Sequence, residues 1–98
     1  MSRTEVNVAA TGDGWDCDVT VHDDGESHHR VRVTRKDLAR LAPGASDPVE
    51  LVQASFAFLL EHEPKESILR EFDLSVIGRF FPDYEREIGH RLSDEPAR

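Results

Sequence analysis

Cysteine is nearly absent from the 98 residues. Cys17 stands alone, so no disulfide can close within the chain, and a cytoplasmic location is the expectation. Long apolar runs are missing too. None approaches the roughly 20 residues needed to cross a bilayer, and the opening MSRTEVNV has no apolar core of a secretory signal. No membrane association is therefore expected. Positive charge is scarce: 12 lysines and arginines face 20 aspartates and glutamates, for a net charge of −8. Such a surface repels nucleic-acid phosphates and anionic lipid at long range, which disfavours both as partners. Lys36 and Lys65 are the only lysines, a bias that fits a GC-rich genome. Gly12, Gly14 and Gly25 lie in turn-like stretches and match no Walker or dinucleotide fingerprint. The chain also has no Cys-x-x-Cys or His-Glu-x-x-His pattern. No cofactor, no metal and no catalytic residue is expected.

Among the features present, the stretch Pro48 to Leu60, PVELVQASFAFLL, dominates. Helical spacing puts Val49, Val52, Phe56, Leu59 and Leu60 on one face, and Leu51 and Phe58 on a second. Only a thin stripe through Glu50, Ala54, Ala57 and Glu61 is left for water. A helix so apolar must be covered on more than one side, which makes it the central core helix. Asp47 as N-cap and Pro48 at the first helical position mark its start.

The chain before it alternates with period two. Thr4 to Ala10, Trp15 to His22 and Ser27 to Thr34 read as strands, and Met1 to Arg3 should fray. Thr11-Gly12-Asp13-Gly14 and Asp23-Asp24-Gly25 are turns by composition. A three-residue loop with Gly25 in the left-handed position sets His22 opposite Glu26. Inward pairs are then Trp15 with Val33, Cys17 with Val31 and Val19 with His29. Outward pairs are Asp16 with Arg32 and Asp18 with Arg30, opposite charges worth roughly 0.2–1 kcal/mol per pair.

Thr34 to Asp37 resembles a capping box and opens a short helix through Leu38 and Leu41, ended by Pro43-Gly44. After Pro64, Ile68, Leu69 and Phe72 read as a short apolar helix face. Asp73 caps another helix with Leu74, Ile77 and Phe81. Leu74, Ile77, Phe81, Tyr84 and Ile88 keep helical spacing across Pro82, where a break rather than a kink is expected. The expectation is one α+β domain over residues 1–92. It has a small antiparallel meander of about three strands, followed by three to five short helices packed on one face. Residues 93–98 form a disordered tail.

His22, Glu26 and His28 share the outer hairpin face, and imidazole with carboxylate is metal-ligand chemistry. His28 and His29, as strand neighbours, point to opposite faces, and the set reads as a solvated polar turn. Cys17 points inward between Trp15 and Val19, and a thiol in apolar surroundings is inert. Asp16 and Asp18 face arginines in water, unlike the buried acid of a hydrolase pair. Ile68 to Phe81 superficially suits a helix-turn-helix, although its second helix offers Arg79 and little else to a base or phosphate. The remaining candidate is a partner-binding cluster of Arg79, Phe80, Phe81 and Tyr84, with Arg86 nearby. Phe80 and Phe81 cannot share one helical line, so one ring is left partly exposed. Aromatics with arginine are frequent interface anchors.

Ser55 to Ile88 carries Phe58-Leu59-Leu60-Glu61, Glu63-Pro64, Ser67-Ile68-Leu69, Phe72-Asp73-Leu74 and Phe81-Pro82-x-Tyr84. This third of the chain resembles a family of small uncharacterised bacterial proteins. The resemblance implies a cytoplasmic prokaryotic protein and carries over no activity and no functional residues.

The sequence therefore favours a non-catalytic interaction module that docks on a protein partner or on itself as a homodimer. The alternative is a small antitoxin-type or helix-turn-helix-like transcriptional regulator. A third reading is a metal-dependent enzyme built on His22 and His28.

Overall fold

The computed structural model describes residues 3–93. Three strands, β1 (Arg3–Ala10), β2 (Gly14–His22) and β3 (Glu26–Thr34), form the antiparallel meander. Arg3 is already paired, opposite His22, rather than frayed. The β2–β3 register is the expected one, with Trp15 opposite Val33, Cys17 opposite Val31, Val19 opposite His29 and His22 opposite Glu26. Its turn takes positive φ at two residues, Asp24 (58°) and Gly25 (112°). Aspartate tolerates this region better than most residues, and glycine carries no penalty there. Gly14 is needed for a different reason. A Cβ there would sit 2.1 Å from the Val33 carbonyl oxygen, so β2 and β3 approach each other where only a hydrogen fits.

Thr34 caps α1 (Arg35–Leu41) as a true capping box. Its Oγ1 accepts from the Asp37 N–H at 3.0 Å, and Asp37 Oδ2 accepts from the Thr34 N–H at 3.5 Å. After Gly44, at φ +90°, comes α2 (Val49–His62). The N-cap is Pro48, one residue later than the expected Asp47, and its carbonyl accepts the first helical bond, from the Val52 N–H; Asp47 Oδ1 lies just outside and accepts from the Val49 N–H at 3.0 Å. The helix lies against β1 and α4. Leu51, Val52, Phe56, Phe58 and Leu59 are buried, as is Ser55. The wet stripe runs through Glu50, Gln53, Ala57 and Glu61 instead of through Ala54, which is half-buried.

Beyond Pro64 the structure corrects the sequence reading. Ile68, Leu69 and Phe72 do not share a helix face. One 3₁₀ turn, Lys65–Ser67, leads into extended chain and a short strand, β4 (Glu71–Asp73). It pairs with β3 in parallel, Val31 opposite Phe72, making a mixed four-stranded sheet of order β1-β2-β3-β4. Flanking bonds extend the pairing, from Arg30 N–H to the Arg70 carbonyl (2.7 Å) and from Leu74 N–H to the Arg32 carbonyl (2.9 Å). A buried histidine reinforces it. His29 Nδ1–H donates to the Leu69 carbonyl at 2.8 Å, while Nε2 accepts from Ser27 Oγ–H at 2.8 Å.

Pro82 breaks the last helical stretch. α3 (Val76–Phe80) ends before it, and α4 (Tyr84–Ser93) begins after it. Proline cannot supply the N–H that a continuous helix needs. Ser93 closes α4, and the remainder of the expected tail, 94–98, lies outside the described residues. The core joins the inner sheet face, with Cys17, Val19, Val21, Val31 and Val33, to Leu38, Phe56, Phe58, Leu74, Ile77, Tyr84 and Ile88 from the helices and their connections. The helices thus cover one face of the sheet, and the charged outer face is left to water.

Candidate functional site

The replacement of a helix by β4 creates an apolar groove. In extended chain, neighbouring side chains point to opposite sides. Ile68 is therefore buried while Leu69, held at its carbonyl by His29, projects outward at 53% exposure. Phe72 is half-buried, its ring 6.2 Å from Phe56. The chain then turns at Leu74, whose carbonyl accepts from the Ile77 N–H at 3.1 Å. This brings α3 alongside. Ile77 points into the core, and Phe80 faces outward at 68% exposure. Between the two segments lies a cavity of about 280 Å³, lined by Leu59, Ile68, Leu69, Phe72, Phe80 and Phe81 among others, Glu63 included.

The four expected partner-binding residues separate. Arg79 and Phe80 are exposed. Phe81 is half-buried, edge-on to Phe58 with ring centroids 5.6 Å apart. Tyr84 is a correction: at 1% exposure it cannot touch a partner from its place in this fold. The break at Pro82 turns α4 so that its first residue faces α2, and the Tyr84 hydroxyl lies 2.7 Å from Ser55 Oγ. Ser55 Oγ also lies 2.7 Å from the Leu51 carbonyl. That carbonyl can only accept, so the serine proton goes to it, and Tyr84 must donate to Ser55. Burial holds the phenol neutral by pushing its pKa up.

Leu59, Ile68, Leu69 and Phe72 belong to the groove, whereas the sequence pattern marks them only as apolar helix positions and not as site residues. The available signal was Glu71-Phe72-Asp73, a charged–apolar–charged alternation after a proline. Three residues are too few for the strand period to outweigh the helical one.

The other candidates fall where their chemistry is quiet. His22, Glu26 and His28 do share the outer hairpin face, joined by Glu5 from β1. The two nitrogens of His22 lie 3.1 Å from Glu5 and 3.1 Å from Glu26. The carboxylates therefore flank the ring instead of converging on one point, and among the described residues no three such groups are placed to hold a metal ion. The His22 hydrogen bond, with Arg3 nearby, holds the Glu5 carboxyl below its ordinary value. Cys17 is wholly buried, and burial pushes its thiol up to about 11, so the nucleophilic thiolate is suppressed. Asp18 pairs with Arg30 at 3.2 Å and Asp16 with Arg32 at 3.9 Å, all four on the outer face. The helix pair needed for a helix-turn-helix at Ile68 to Phe81 is absent, because its first member is β4.

No family model matches the chain, and no curated protein or solved structure matches it. No helix among the described residues is long and apolar enough to cross a membrane.

Proposed function

We propose that this chain is a non-catalytic protein-interaction module that docks a partner in the Leu69–Phe80 groove. One observation carries the reading. Among the described residues the two exposed large apolar side chains are Leu69 and Phe80, and both line the same cavity. Scattered apolar residues on a surface are ordinary, whereas adjacent ones around a concavity mark interaction sites. The partner is a protein segment that inserts an apolar side chain between the two. The net charge of −8 and Glu63 among the lining residues favour basic residues beside that anchor.

Selection of random peptides on the immobilised chain tests this. Enriched peptides should carry an apolar anchor with basic neighbours, and they should shift the amide signals of residues 68–81. Peptides that shift the outer sheet face instead, or that bind equally well to Phe80→Ser, would overturn the reading.

A further inference from the structure

The sheet has two end strands, and they are protected unequally. β4 is three residues long, too short to template another strand. β1 spans eight residues with unbroken register, and it contains no proline and no glycine. Its charges, Arg3 and Glu5, both lie towards one end. The direction of its backbone follows from the turn. Thr11 N–H donates to the Gly14 carbonyl at 2.7 Å, which makes Thr11–Gly14 a hydrogen-bonded pair. Such pairs alternate along an antiparallel ladder. Odd-numbered β1 residues therefore bond to β2, and Thr4, Val6, Val8 and Ala10 turn their N–H and carbonyl groups to the open edge. Val6 and Val8 are only half-buried on the inner face, so the apolar surface reaches that edge without being closed.

We infer that two copies of this chain pair edge to edge through β1, antiparallel about a twofold axis at Asn7. The choice of a second copy rests on charge. In this register Val6 meets the partner's Val8, Thr4 meets the partner's Ala10, Glu5 meets the partner's Ala9 and Arg3 meets the partner's Thr11. Like charges never face each other along the seam, although each chain carries −8 overall. The four outward-facing residues of each copy would exchange about eight hydrogen bonds. The half-buried valines of the two copies become neighbours, and the helices of both stay on the same side of one continuous sheet. This association is independent of the Leu69–Phe80 groove.

Sedimentation velocity on the full chain across a concentration series tests it. The wild type should reach twice the monomer mass. Asn7 is exposed on the outer face, opposite Asp18 of its own chain, so Asn7→Lys and Asn7→Asp leave the core untouched and put like charges on the axis; Asn7→Asp also faces Asp18, so its unfolding midpoint is recorded alongside. Each should weaken the dimer by about 1.4- to fivefold, and an equimolar mixture should restore it as a heterodimer identified by native mass. Val8→Pro removes an outward N–H without touching the β1–β2 ladder, and should give a folded monomer. A chain that stays monomeric throughout overturns the inference. So does a dimer indifferent to both charge variants, or one abolished by Phe80→Ser, which would assign the contact to the groove.

Discussion

The buried contact between Tyr84 and Ser55 gives the sharpest energetic test of how α4 is fixed to the core. Ser55 spends its proton on the Leu51 carbonyl, and Tyr84 donates to Ser55. The two truncations are therefore unequal. Tyr84→Phe removes a donor and leaves Ser55 with an unused lone pair but a satisfied proton, so it should cost about 1 kcal/mol. Ser55→Ala strands a phenolic O–H in a site where the residue is 1% exposed, and a buried donor without an acceptor costs about 1–3 kcal/mol. The double variant has no stranded group. It should cost less than the sum of the two, with a coupling of about 1 kcal/mol. Thermal unfolding resolves this, because 1 kcal/mol moves the midpoint of a domain of this size by about 4–8 °C. Additive effects, or a Tyr84→Phe variant as stable as wild type, would refute the proposed proton arrangement.

His29 gives a prediction in pH. Its burial, with His28 and Arg70 nearby, lowers its pKa, against the opposing effect of its bond to Leu69. Above the ordinary value of about 6.5 both folded and unfolded states hold it neutral. As pH falls below that value the unfolded chain takes up a proton that the folded chain refuses, so stability declines until the folded value is reached. His29→Gln should flatten this part of the stability–pH curve measured by urea unfolding, and identical slopes would contradict it. Gly14→Ala should cost about 3 kcal/mol, the upper part of the overpacking range, because its Cβ would collide with the Val33 carbonyl. Gly12→Ala, with nothing within 4 Å of the added atom, should stay within about 0.5 kcal/mol of wild type in the same assay.

Much of the fold was legible where independent local signals agreed. The β2–β3 register follows from a glycine turn, an apolar face and facing charges, and all three point to one alignment. The α1 capping box and the break at Pro82 follow from backbone chemistry that tertiary contacts rarely override. β4 was not legible. Its three residues carry too little periodicity, and its strand character comes from pairing with β3 and from the His29 bond to the Leu69 carbonyl, both long-range. The groove went with it: Leu69 faces outward only because the chain there is extended. Spacing placed Tyr84 on the apolar stripe with Ile77 and Ile88, but not the hydroxyl partner on α2 that makes it a core residue. Phe80 was found because two adjacent aromatics cannot both turn inward on one helix.

The central claim is that the Leu69–Phe80 groove binds a partner through its exposed side chains. Titration calorimetry with a selected basic–apolar peptide against wild type, Phe80→Ser and Leu69→Ser measures it directly, with unfolding midpoints recorded alongside. Both side chains are largely exposed, so stability should change by no more than about 0.5 kcal/mol. Affinity should fall at least about tenfold in each variant, as expected for anchor positions. Unchanged affinity in both variants, with stability intact, would contradict the account.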